Sequence, residues 1–352
     1  MKRIWILISV VALVWILAFT ARAVTIDLVP VGNPGNAGEL SGEGAGGIGP
    51  SRVCGGVDYT YSIGKYEVTA GQYTAFLNAV AKTDTYGLYD PRMAHTDWNY
   101  MGCNIQRTGF NGNLSYSVAP DWADRPVNYV SWSDAARFCN WLQNGQPTGL
   151  QDRLTTEDGA YSLNGGGSQY WWGEARKAGA NWVIPTEDEW YKAAYYRGGS
   201  SSAGYWDFAT KSDIGPGQDM ADVTGNDANY FTSPYIYPID SDKYTTLVGE
   251  FQNSTSPYGT FDQSGNVWEW TEEVIVDSLG ILYRNGRGGS FNNDYSYNYS
   301  PAYDRTGWNM VLGYKDMGFR VAYVPEPSSI IYLLDLSVVG LVIRTLRRLK
   351  SA

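Results

Sequence analysis

Few residues in this chain of 352 have side chains suited to soft-metal or nucleophilic chemistry: His95, Cys54, Cys103 and Cys139. No Cys-x-x-Cys spacing occurs among the cysteines, which argues against a zinc site or a redox dithiol. A single histidine excludes a multi-histidine iron site. A Ser–His–Asp triad would have to rest on His95 alone, and that residue lies in a surface-loop sequence, Arg92-Met-Ala-His-Thr. Gly165-Gly-Gly167 lacks the Lys-Ser/Thr that would make it a phosphate loop. Two other groupings carry more. Asp262 and Glu269 flank the Gly-bearing turn of Asp262-Gln-Ser-Gly-Asn-Val-Trp-Glu-Trp270, where carboxylates and carbonyls can converge on Ca²⁺. Tyr295, Tyr297, Tyr299 and Tyr303 stand among Asn, Ser and Asp, the composition of contact loops that hold ligands on rigid aromatic faces. With Asp294 and Arg305 they form a candidate ligand site for sugars or peptides of an extracellular polymer. Asp294, Asp304, Arg305 and Tyr297 also include acid–base groups, but the sequence places no pair of them together.

Composition limits the partners. Between residues 24 and 324 there are 34 acidic and 19 basic residues, a net charge of −15. Such a surface repels nucleic acid and anionic lipid. With 43% hydrophobic and 15% aromatic residues, 41 glycines, 14 Trp and 28 Tyr, the chain reads as a globular, loop-rich α+β domain with a large core.

Both ends read as addresses. Lys2 and Arg3, the apolar run from Ile4 to Phe19 and the small-x-small site Ala21-Arg22-Ala23 form a secretory signal over residues 1–23, leaving Val24 first. At the other end, Pro325-Glu326-Pro327 precedes an apolar stretch, Ile330 to Ile343, and a basic cluster of Arg344, Arg347, Arg348 and Lys350. This trio resembles the PEP-CTERM sorting signal of Gram-negative bacteria, although Asp335 departs from the usual apolar helix. The resemblance implies that residues 325–352 are a tail read by an exosortase, holding the chain transiently in the inner membrane with its basic end cytoplasmic. The mature protein is then expected in the envelope, on the outer surface or in the extracellular matrix. In that oxidising setting a Cys54–Cys103 disulfide is expected, since both lie in Gly-rich loop sequence.

Residues 24–56 read as a lead-in strand, Thr25–Val29, and a Gly-rich linker, ahead of a domain over 57–324. Tyr59 to Val68 alternates as a strand. Thr69 caps a helix to about Ala81, with Tyr73, Phe76, Leu77 and Val80 on its buried face. Residues 83–124 read mostly as loop. Ser131 with Asp134 caps a second helix, and 143–178 reads as an inserted surface loop. Thr186 with Glu189 caps a third helix, which Arg197-Gly198-Gly199 stops. Short strands are expected near Ile281–Arg284 and Gly288–Phe291, and a closing strand over Gly318–Val324. No internal repeat is present.

Five blocks in order resemble the sulfatase-modifying-factor (formylglycine-generating enzyme) family over roughly residues 60–322. They are Pro126-Val-Asn-Tyr-Val-Ser-Trp132, Ile184-Pro-Thr-Glu-Asp-Glu-Trp190, Gly265-Asn-Val-Trp-Glu-Trp-Thr271, Arg287-Gly-Gly-Ser-Phe291 and Gly318-Phe-Arg320. The resemblance implies a C-type-lectin-like α+β fold with little regular structure. It implies structural Ca²⁺ at Asp262, Gly265, Val267 and Glu269, and a second site near Asn229, Asp242 and Tyr244. Family enzymes oxidise a target cysteine with O₂ and copper held by two thiolates just beyond the Gly-Gly-Ser motif. Here Asn293 and Asn298 stand at about those positions, and an amide cannot replace a thiolate on Cu(I). An iron-dependent sister branch needs histidines that this chain lacks. Neither copper nor iron is therefore expected. A non-catalytic binding or structural module follows, with a divergent oxidoreductase acting on protein cysteine or another substrate as the alternative.

Overall fold

The structure, a computed structural model, describes residues 23–165, 174–231, 240, 242–276, 279–293 and 301–325. The leader upstream of Ala23 and the tail beyond Pro325 lie outside the described residues, as do Asp294, Tyr295, Tyr297, Asn298 and Tyr299.

Helices begin where local capping dictates. Helix α1 (Ala70–Val80) starts at Thr69, whose hydroxyl accepts from the Gln72 N–H while Gln72 reaches back to the Thr69 N–H. A short α2 (Pro120–Ala123) precedes α3 (Trp132–Gln143), capped reciprocally by Ser131 and Asp134. Helix α4 (Glu187–Tyr195) repeats the device with Thr186 and Glu189. Each box satisfies two otherwise orphaned N–H groups and is worth about 1 kcal/mol.

Two four-stranded sheets flank these helices. One has the order β1-β4-β14-β7, from Leu28–Val31, Tyr61–Gly64, Ala322–Tyr323 and Trp182–Val183. The other runs β12-β11-β10-β13, from Thr306–Trp308, Leu282–Arg287, Trp268–Val276 and Met317–Gly318. Among the described residues there are also two-stranded ribbons: β2 (Glu39–Ser41) with β3 (Arg52–Cys54), β5 (Ile105–Thr108) with β6 (Ser115–Val118), and β8 (Tyr196–Gly198) with β9 (Gly204–Tyr205).

The strand expected from Tyr59 to Val68 is shortened to β4. Its continuation bonds elsewhere: Val68 donates to the Phe319 carbonyl and Val127 donates to that of Val68. The closing strand is split. Gly318 pairs in parallel with Glu269 in one sheet, whereas Ala322 lies between Ile63 and Val183 in the other. Arg320 thus sits where the chain crosses from sheet to sheet. Residues 83–124, expected to be mostly loop, contain the β5–β6 hairpin, which turns Ile105 and Tyr116 into the core. Gly288–Phe291 forms a turn, not a strand. The segment read as lead-in and linker is woven into the fold, because β1 pairs with β4 and β3 carries the buried Cys54.

The main core is aromatic. Phe138 of α3 lies 5.3 Å from Phe76 of α1, 5.7 Å from Trp141 and 5.4 Å from Phe319, centroid to centroid. Trp132, Trp190 and Trp270 are fully buried, and so are Arg137, Arg284, Arg287 and Arg320. Buried guanidiniums supply many donors to carbonyls that loops leave unpaired.

Candidate functional site

The place to look for the family's copper chemistry is the turn after β11. Arg287 ends that strand, and Gly288 and Gly289 have positive φ. Ser290, fully buried, donates to Asn293 Oδ1, and the Asn293 N–H returns to the Ser290 carbonyl at 3.1 Å. The Asn293 carbonyl accepts from the Phe231 N–H at 2.9 Å. Asn292 and Ser290 both approach Asp316, whose carboxyl is pushed up by burial. Amides and hydroxyls close this turn, and Asn293 is a turn-closing residue within it. Asn298 lies outside the described residues.

The cysteines lie elsewhere. Cys54 on β3 packs with Trp190, Tyr191 and Tyr195, and Arg287 Nη2 stands 3.4 Å from its sulfur. Cys103 and Cys139 belong to the main core instead. All three are unpaired and buried, so the expected Cys54–Cys103 disulfide is corrected: the two thiols occupy separate packing clusters. Burial pushes the Cys54 thiol up to about 12 and that of Cys103 to about 11. Neither is a ready thiolate at neutral pH.

Arg305, expected to face a ligand, is also corrected. It is buried, donates to the Pro50 carbonyl at 2.9 Å and pairs with Glu187 at 2.8 Å. Glu187 collects Arg52 and Arg287 as well. These guanidiniums hold its carboxyl below the usual range despite burial. Asp304 accepts from the Ile48 N–H at 3.0 Å, and burial raises its carboxyl to about 6. The Tyr303 carbonyl accepts from Gly42 at 2.7 Å. Residues 303–305 therefore fasten the 42–50 loop to the body of the domain.

The two expected calcium sites differ. Glu269 gives one oxygen to Trp190 Nε1 at 2.7 Å and both to Arg320. As arranged, it is an arginine partner and does not fit a metal. Asp262 takes the Gly249 N–H at 2.6 Å, and burial raises its carboxyl. Gly265 has φ +94°, and a Cβ there would stand 2.3 Å from the Asn229 carbonyl oxygen, so only glycine fits. Val267 donates its N–H to Glu67 Oε1 at 3.1 Å. The second group fits a cation better. Asn229 donates to the Tyr244 carbonyl at 2.9 Å, while its Oδ1 is buried with no hydrogen-bond donor in reach. Asp242 stands exposed two residues before Tyr244. A buried amide oxygen with no donor is the kind of ligand a hard cation takes. Among the described residues, no three His, Cys, Asp or Glu side chains converge on one point.

Sequence reasoning missed Glu67, fully buried, whose carboxylate accepts from Asn266 at 2.8 Å and whose protonation is favoured first by burial and then by Asp262 and Glu269. A lone acid inside an alternating apolar run was its only signal. It also missed an exposed aromatic patch. Trp98 is 50% exposed and Tyr100 40%, with the His95 ring 4.8 Å from Tyr100. Trp98 stands 6.3 Å from Tyr244, and Tyr244 6.1 Å from Phe291. An aromatic chain thus runs from the Ser290–Asn293 turn out to solvent.

Comparison with known proteins defines the class. Residues 55–324 match the sulfatase-modifying factor enzyme 1-like domain, and the chain belongs to that family. A Paenibacillus barcinonensis protein named chaperone protein LppX is 27% identical over 278 residues, covering 74% of this chain and 79% of that one. Treponema denticola variable protein 1 has a similar fold, with a TM-score of 0.51 and 19% identity over 87% of this chain and 98% of that one. PvdO from Pseudomonas aeruginosa aligns with a TM-score of 0.46 and 18% identity over 84% of this chain and 93% of that one. The expected α+β, loop-rich, formylglycine-generating-enzyme-like fold is the fold observed.

Proposed function

We propose that this chain is an exported, surface-tethered binding module of the sulfatase-modifying-factor family that does not form formylglycine. One observation carries the reading: amides close the turn after Gly288-Gly289-Ser290, and the three cysteines are buried elsewhere. Two thiolates on one accessible face are what Cu(I) chemistry requires, and this chain keeps no such pair. In this reading the N-terminal leader exports the chain, and an exosortase handles the tail. Calcium pins the loops through Asn229, Asp242 and Tyr244. Extracellular peptide or polysaccharide segments lie across the exposed rings of Trp98 and Tyr100. Aromatic faces accept both apolar side chains and the C–H faces of sugars. A relative named as a chaperone favours the peptide.

The test is saturable binding of the full chain to peptide and glycan arrays, repeated with Trp98→Ala and Tyr100→Ala. Each substitution is expected to weaken binding about tenfold, as loss of an aromatic anchor does. Stability should stay within about 0.5 kcal/mol, because both rings are exposed. Unchanged binding in both variants would remove this surface from the proposal.

A further inference from the structure

Both ends of the described domain are fastened at one place, the C-terminal end of α3. Val24 donates its N–H to Gln146 Oε1 at 2.6 Å, and its carbonyl accepts from Gln146 Nε2 at 2.8 Å. The side-chain amide therefore pairs with Val24 as a neighbouring strand would. The backbone holds Gln146 in position for this pairing. It has φ +60°, its N–H is bonded to the Trp141 carbonyl at 2.8 Å, and Pro147 follows. A glutamine at positive φ is uncommon and persists where its surroundings hold it. Three residues earlier, Gln143 Oε1 accepts the N–H groups of Asn181 and Trp182, each at 3.0 Å. Asn181 in turn binds Val324 at both groups: its Nδ2 donates to the Val324 carbonyl at 2.8 Å, and its carbonyl accepts from the Val324 N–H at 2.9 Å.

Val24 is the first clamped residue among those described. Ala23 before it is exposed, whereas Val24 and Ile26 pack against the main core, and Gln72 holds the Thr25 carbonyl at 2.9 Å. Among the described residues, the packed and hydrogen-bonded chain thus starts on the C-terminal side of the Ala23–Val24 bond.

We propose that Gln146 is the seat of the amino terminus that cleavage at the expected Ala23–Val24 site creates. The step is a hydrolysis. Water adds to the Ala23 carbonyl, the C–N bond breaks, Ala23 leaves as a carboxylate, and the Val24 nitrogen takes both protons of the water to become an ammonium. That ammonium keeps the Gln146 Oε1 acceptor and donates to it as a charged group, a stronger hydrogen bond than the amide makes. The Asn181 clamp holds Val324 on the same side, so both ends of the described domain sit at the end of α3. This inference rests on the export part of the proposed function.

The experiment expresses the full chain in a Gram-negative host, recovers the exported protein and reads its first residue by mass spectrometry. The seat is then probed with a broad-specificity aminopeptidase. Val24 is expected first and trimming of it slow. Gln146→Ala should accelerate trimming about tenfold, as loss of two hydrogen bonds would, with the thermal transition confirming a folded protein. Gln146→Glu, which keeps an acceptor for the ammonium, should fall between the two. Ala23→Leu should block the cut, because the position before the bond needs a small residue. An exported chain beginning elsewhere, or a folded Gln146→Ala trimmed at the parent rate, overturns the seat while leaving export intact. A chain retained inside the cell with residues 1–23 attached overturns the export reading and the seat together.

Discussion

Arg320 places Nε and Nη2 on the two carboxylate oxygens of Glu269, and neither side chain touches solvent. The pair joins the crossing between the two sheets to β10. Arg320 also donates to the carbonyls of Gly64 and Phe261, at 2.9 and 2.8 Å, so one guanidinium ties four segments. Such pairs are strongly coupled to their surroundings, and removing one partner strands a buried charge.

Glu269→Gln keeps the shape and removes the charge. It is expected to destabilise the protein by about 3–5 kcal/mol. Urea denaturation should show this as a lowered midpoint without a change in slope. A loss below about 1 kcal/mol would mean that the Arg320 charge is balanced by something other than Glu269, such as Glu67 or Asp262.

Calcium should raise the thermal transition of the purified chain, and chelation should lower it again. At a hundredfold excess over Kd the gain is about 2.7 kcal/mol. Asn229→Ala is expected to abolish most of that gain, because its buried Oδ1 is the oxygen that lacks a donor. Calorimetry with and without the ion is the measurement. An undiminished calcium response in Asn229→Ala would place the ion elsewhere.

Asp134 supplies a pH signature. Burial raises its carboxyl to about 6, opposed by Arg137 and the Ser131 hydrogen bonds. A folded value above the unfolded one means that the native state binds the extra proton. The contribution of this group to stability is therefore present below the unfolded value of about 3.9 and is lost as pH rises through about 6. Asp134→Asn retains an acceptor for the Ser131 N–H and should remove this component. The difference in stability between parent and variant should change between pH 4 and 6 and be flat above about 7. A difference that does not vary with pH would contradict the assignment.

Much of the fold was legible because its signals are local. Thr69 with Gln72, Ser131 with Asp134 and Thr186 with Glu189 each announce a helix within four residues, and each helix starts there. The order of the five motif blocks carried the family. The roles of single charged residues did not read through, since their partners are remote in sequence. Nothing next to Arg305 reveals Glu187, and nothing next to Glu269 shows that Arg320 fills both its oxygens. Cys54 and Cys103 looked alike in their glycine-rich settings, yet β3 carries one into the cluster around Trp190 while the other joins the main core. The β5–β6 hairpin was hidden because only Ile105 and Tyr116 of its paired residues turn fully inward, too few for a clear alternation.

The central claim is that this member of the family has lost the oxidase chemistry and kept the fold. Its most direct test is to incubate the full chain with Cu(I), O₂ and a cysteine-containing sulfatase-motif peptide, and to follow the peptide by mass spectrometry. The account predicts no formylglycine above the protein-free control and no stoichiometric retention of copper after desalting. Catalytic conversion of the peptide with one copper held per chain would contradict it, and would show that the missing thiolates were not what the reaction needs.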